Sequence, residues 1–88
     1  MAETAERICV RVRLFAAYRE AAGTGRLEMP LASGARVRDL VEALAGRIPA
    51  LVAAPGLVAV NQTYVGPDVI LHDGDEVALI PSVCGGRD

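Results

Sequence analysis

Between residues 37 and 48 apolar side chains recur at helical spacing, and this run constrains the fold more than any other. Val37, Leu40, Val41, Leu44, Ala45 and Ile48 fall at i, i+3, i+4, i+7, i+8 and i+11, which aligns them on one stripe of a 3.6-residue helix. Pro49 cannot continue the helix, so the run ends there. Its start is imperfect: Arg36 stands where Ser, Thr or Asp would cap the first turn, and Asp39 partly compensates through the helix dipole. A helix with a single apolar stripe covers one face of a sheet. The rest of the chain reads mainly as strands, so the predicted class is α+β, a mixed sheet with one main helix packed on one face.

The clearest strand is Ile8-Cys9-Val10-Arg11-Val12-Arg13-Leu14, with Ile8, Val10, Val12 and Leu14 on one face and Cys9, Arg11 and Arg13 on the other. Ala-rich Phe15 to Ala22 predicts a short helix stopped by Gly23. Arg26 to Met29 predicts a second strand ended by Pro30. Ala50 to Ala54 can form one more helical turn, and Pro55-Gly56 marks a turn. Leu57 to Val60 and Tyr64-Val65 read as strands joined by a hairpin at Asn61-Gln62. Val69 to Leu71 reads as a brief extended or 3₁₀ segment, His72 to Asp75 as a tight turn, and Glu76 to Ile80 as the last strand. The first and last strands carry the best patterns and are predicted to be central. This order makes the ubiquitin-like β-grasp the leading architecture. Residues 1–81 are expected to form the domain and residues 82–88 a flexible tail.

With 88 residues the chain is one domain. Hydrophobic residues make up 52% of it but aromatic ones only 3%, so the core must be aliphatic. Net charge is −2, which argues against a nucleic-acid binder. The charge is uneven: residues 1–47 sum to +2 and residues 48–88 to −4. Every basic side chain is Arg; Lys is absent. Two cysteines, Cys9 and Cys84, are too few for a disulfide scaffold and lack zinc spacing. Acidic Glu3 and Glu6 without an apolar run argue against a signal peptide, and Pro49, Pro55 and Gly56 interrupt the uncharged stretch before Pro67, which argues against a membrane span. A cytoplasmic protein is expected.

No catalytic constellation is visible. His72 reads as a solvated loop residue. Asp73, Asp75 and Glu76 lack the spacing of a calcium loop, so no metal is predicted. Ser82 has neither a neighbouring base nor nucleophile-elbow glycines. The informative segment is the end, where Leu79-Ile80-Pro81-Ser82-Val83-Cys84 leads into Gly85-Gly86. The bland reading is a frayed terminus. The functional one is a thin tail for a narrow site on another protein, since glycine lets a backbone approach closely. From Pro81 to Gly86 the extended reach is about 17–20 Å.

Several segments together resemble a known family. They are Val12-Arg13-Leu14-Phe15-Ala16 with Arg19-Glu20-Ala21-Ala22-Gly23, Val60-Asn61-Gln62 with Tyr64-Val65, Asp73 to Pro81, and Val83 with Gly85-Gly86. The chain is similar, from about Val10 to Gly86, to the small sulfur-carrier subunits of molybdopterin synthase, the MoaD branch of the MoaD/ThiS superfamily. The resemblance implies a β-grasp fold and a carrier that performs no catalysis itself. An adenylating E1-like (MoeB-like) enzyme would activate the terminal glycine carboxylate with ATP, and a sulfur donor would convert it to a thiocarboxylate. The tail would then enter a MoaE-like large subunit and pass sulfur to cyclic pyranopterin monophosphate. On this reading Gly86 carries the sulfur, as a covalent thiocarboxylate with no bound cofactor, and Gly85 gives clearance. Arg11, Arg13, Ile80, Pro81 and Val83 are expected to dock partners in a hetero-oligomer.

Two departures from the family pattern stand out. Arg87-Asp88 follow Gly86, so the carboxyl to be activated lies in a peptide bond and trimming is required. Cys84 stands where the family has a small or hydroxylated residue. Other readings remain open: a sulfur carrier for thiamine or tRNA thiolation, a ubiquitin-like protein modifier, or a domain whose blocked tail only docks. A modifier without Lys could be attached to other proteins but could not build lysine-linked chains on itself.

Overall fold

The computed structural model describes residues 6–53 and 56–81. Its elements in chain order are β1 (Arg7–Leu14), α1 (Ala16–Ala22), β2 (Arg26–Ala32), α2 (Val37–Ala45), α3 (Ala50–Ala53), β3 (Leu57–Val60), β4 (Thr63–Val65) and β5 (Glu76–Ile80). The strands form one mixed sheet in the order β2-β1-β5-β3-β4. β5 runs parallel to β1 and antiparallel to β3, so the first and last strands are both interior, as the patterns predicted. This is the expected α+β arrangement of the ubiquitin-like β-grasp.

The core is built from the two periodicities. The alternation of β1 buries Ile8, Val10, Val12 and Leu14, and α2 contributes Val37, Leu40 and Leu44. Val77 and Leu79 of β5 complete the contact, with Ile48, Leu51 and Leu71 at its margins. Each such aliphatic side chain stabilises by about 1.5–3 kcal/mol relative to an exposed one. The one aromatic in the core is Tyr18 of α1, and burial pushes its phenol above the ordinary tyrosine range.

Two expectations need correction. First, the helix predicted to run to Ile48 ends at Ala45. Gly46 is a poor helix former, yet Arg47 and Ile48 both donate to the Leu44 carbonyl, which keeps Ile48 in the core. Second, Pro30 does not end β2, which continues to Ala32. Pro30 lies opposite Cys9, whose N–H donates to Asp73 and whose carbonyl accepts from Gly74. Cys9 therefore turns its backbone groups away from β2, and β2 is an edge strand, so the missing proline N–H breaks no ladder bond. The brief extended segment expected over Val69 to Leu71 takes the form of an isolated bridge that pairs Ile70 with Arg36.

That bridge also explains why α2 tolerates Arg36 at its start. The Val37 and Arg38 N–H groups donate to the carbonyls of Val69 and Pro67, and the Asp39 carboxylate accepts the Arg36 N–H at 2.8 Å. The loop and Asp39 thus satisfy donors that a capping hydroxyl would otherwise meet.

The hairpin at Asn61-Gln62 is present, with both residues at positive φ, 50° and 73°. Asn61 also joins three elements. Its side chain donates to the Asp75 carboxylate and accepts the Glu76 N–H, each at 3.0 Å, while its own N–H reaches the Glu76 carbonyl. Asp75 in turn accepts the His72 N–H at 2.8 Å, and Gly74 closes the turn at φ 85°, a conformation glycine adopts without strain. Asn61→Gly should cost about 1–2 kcal/mol through the lost bonds, and Asn61→Ala about 1 kcal/mol more because alanine is strained at positive φ. Denaturant melts of both variants check this; equal losses would remove the backbone contribution, and no loss would remove the bonds.

Candidate functional site

β5 has two faces with different fates. Val77 and Leu79 point into the core, while Glu76, Ala78 and Ile80 lie on the sheet face that no helix covers. Cross-strand register assigns their neighbours there. Arg11 pairs with Glu76, Arg13 with Ala78, Ala59 with Ala78, Leu57 with Ile80, and Ala59 with Tyr64. Residues directly opposite share a face, so Leu57, Ala59, Tyr64, Ala78 and Ile80 form one apolar strip, which Phe15 extends beyond the end of β1.

The strip is concave because Ala59 and Ala78 are small and their neighbours are large. Phe15, Tyr64 and Ile80 border a depression of about 270 Å³ over the two alanines. Phe15, Leu57 and Tyr64 are 38%, 52% and 67% exposed. Contiguous exposed apolar surface of this kind marks a docking face. Its charged border is Arg13, which pairs with Glu76 at 3.5 Å and lies 5.5 Å from the Phe15 ring centre. Both members of that ion pair are about two-fifths exposed, so it contributes at most about 1 kcal/mol to stability and serves chiefly to orient the guanidinium.

Of the residues singled out from sequence, the structure brings Arg11, Arg13 and Ile80 onto this one face. Pro81 follows Ile80 at the strip's end, half-buried, where the chain leaves the sheet. Val83, Cys84, Gly85, Gly86 and the predicted tail lie outside the described residues. Phe15, Leu57, Ala59 and Tyr64 were missed. Phe15 opens the Ala-rich stretch that predicts a helix, and the faces of β3 and β4 become assignable only through their pairing with β5. The strip offers apolar contact and oriented charge, with no nucleophile-base pair. His72 is solvent-exposed, and Asp73 and Asp75 each accept backbone N–H groups from different elements. No helix among the described residues is long and apolar enough to cross a membrane.

Comparison with known proteins adds to this geometry. The sequence profile of the ThiS family matches residues 12–86. The chain is similar to the molybdopterin synthase sulfur carrier subunit of Mycobacterium tuberculosis, 43% identical over 90% of this chain and 99% of the relative. It is likewise similar to the sulfur carrier subunit of the same name from Chlamydomonas reinhardtii, 41% identical over 88% and 98% of the two chains. Among solved structures, the small archaeal modifier protein SAMP1 from Haloferax volcanii superposes with a TM-score of 0.75 at 31% identity, over 89% of this chain and 99% of that one.

Proposed function

The chain belongs to the ThiS family, and from that premise we propose that it is the sulfur carrier subunit of a molybdopterin synthase. The carrying observation is the family match, which runs from β1 through both glycines to residue 86. Two relatives that bear this function in their names align over nearly their full lengths. The fold supports the reading, since β5 carries the chain along an apolar docking strip and releases it at Pro81, five residues before Gly86.

The proposed mechanism uses the chain as a cytoplasmic, non-catalytic carrier. Gly86 presents an unhindered carboxylate once Arg87 and Asp88 are removed. That carboxylate attacks ATP on an adenylating E1-like enzyme, pyrophosphate leaves, and a sulfur donor displaces AMP to give the thiocarboxylate. Gly85 lets the tail enter a narrow site on the large subunit, where sulfur passes to cyclic pyranopterin monophosphate. The strip around Ala59 and Ala78 holds the domain while the tail reaches inward by up to about 17–20 Å.

Binding separates this reading from its relatives. The purified chain is expected to form a stable complex with a molybdopterin synthase large subunit and none with a thiazole synthase, measured by calorimetry. The reverse preference would transfer the assignment to thiamine synthesis. The likeness to SAMP1 gives a modifier reading its own specific support, and adducts joined through Gly86 to lysines of other proteins, seen by mass spectrometry of cell extracts, would establish it.

A further inference from the structure

We infer that the arginines Arg13, Arg19 and Arg26 form a second anchoring patch, one that receives a carboxylate-bearing segment of the protein that takes up the tail. The inference rests on the carrier reading for the identity of that protein.

The three side chains come from three elements. Arg13 is the penultimate residue of β1, Arg19 lies in the last turn of α1, and Arg26 begins β2. Together with Phe15, Thr24 and Gly25 they border a depression of about 400 Å³ whose lining contains no carboxylate. Arg13 stands directly opposite Arg26 in the strand register. Like charges in that relation destabilise a sheet; among the described residues Arg13 pairs with Glu76 at 3.5 Å, and Arg13 and Arg26 both border an adjoining depression that also holds Glu28. Among the described residues neither Arg19 nor Arg26 forms an ion pair. The stem of Arg19 passes over Gly25, where a Cβ would meet its Cδ at 3.4 Å. Three arginines from three elements thus line one depression, where a bound anion would relieve the repulsion between their charges.

Location and shape identify the anion. Phe15 borders both this depression and the apolar strip, so the two form one continuous surface. Arg19 and Arg26 are exposed, so nothing encloses a small free anion. Such an anion would lose its translational freedom for contacts still open to water. Carboxylates carried on a protein already docked on the strip do not meet that cost again. The patch should therefore steer and orient that partner, acting mainly on the association rate.

Two measurements test this. In the first, hexaglutamate is titrated into the full chain and amide resonances are followed by NMR. Thr24, Gly25 and Arg26 should shift, and the shifts should vanish in the Arg19→Glu/Arg26→Glu double variant while its melting temperature holds. No shift at these amides, or pyrophosphate shifting them at lower concentration than hexaglutamate, would overturn the inference. In the second, the same variant should bind the synthase large subunit at least tenfold more weakly than the parent, with a shallower salt dependence. Arg47→Glu, an equal charge change on a remote exposed residue, should change binding less than twofold. Equal affinities for the parent and the double variant would sink the patch and leave the carrier reading standing. A parent that binds hexaglutamate at the patch but not the large subunit would do the opposite.

Discussion

Removing Arg87 and Asp88 is expected to convert a chain that accepts no sulfur into one that is fully competent. In the longer form the Gly86 carbonyl is an amide, and an amide offers no carboxylate oxygen to attack ATP. Cleavage after Gly86 creates that group and leaves every described residue of the core in place. Both lengths should therefore melt alike while differing completely in activation. The measurement is intact mass after incubation with adenylating enzyme, ATP and sulfur donor, where only the shorter form should show the exchange of oxygen for sulfur. Adding large subunit and pterin precursor should then yield molybdopterin from that form alone. Cys84→Ser in the shorter form should change neither result if the thiol is incidental. Equal product from both lengths, with Arg87-Asp88 still present by mass, would refute the switch. No product from the shorter form would refute the molybdopterin assignment itself.

Leu40→Ala and Leu44→Ala should each destabilise the fold by about 2–5 kcal/mol, through lost burial and the cavity left behind. Both side chains are 0% exposed and form one ridge of α2 in the core. A domain of this size has about 5–15 kcal/mol to lose, and each kcal/mol corresponds to about 4–8 °C in melting temperature. Either variant should thus melt at least about 8 °C below the parent. Val52→Ala, at a side chain 67% exposed, is the control and should melt with the parent. If the leucine variants also melt with the parent, α2 does not supply the core.

What could be read in advance follows from how far apart the interacting residues lie in the chain. The alternation of β1 and the 3.6-residue stripe of α2 are local signals; β1 buries the four side chains it predicts, and α2 buries Val37, Leu40 and Leu44 while leaving Val41 and Ala45 half-buried. The Asn61-Gln62 hairpin was equally local. Which face of β3 and β4 meets solvent was not, because Leu57-Val58-Ala59-Val60 is apolar throughout and gives no alternation to read. Only pairing with β5 puts Ala59 beneath the depression and Val58 and Val60 toward the core. Pro30 misled for a related reason: a proline stops a strand only where its partner needs the N–H, and Cys9 is turned to the other side. The arginines were visible as residues but not as a cluster, since Arg19 is brought beside Arg13 and Arg26 by the turn of the chain through Gly23, at φ 79°.

The position of β5 has a consequence for how the chain is made. During synthesis the antiparallel pair of β1 and β2, joined through α1, and the hairpin of β3 and β4 can each form early, but neither can join the other. Their shared neighbour is the last strand to emerge. Such long-range pairing is slow relative to local contacts. Until β5 arrives, Val12 and Leu14 on one piece and Val58 and Val60 on the other lack Val77 and Leu79 to pack against. A ribosome-bound chain stalled before residue 76 should therefore be protease-sensitive and recruit chaperones. The strand that completes the sheet is also the one that leads to the glycines, so on the carrier reading the end that would bear sulfur emerges only after every strand of the sheet that would dock it.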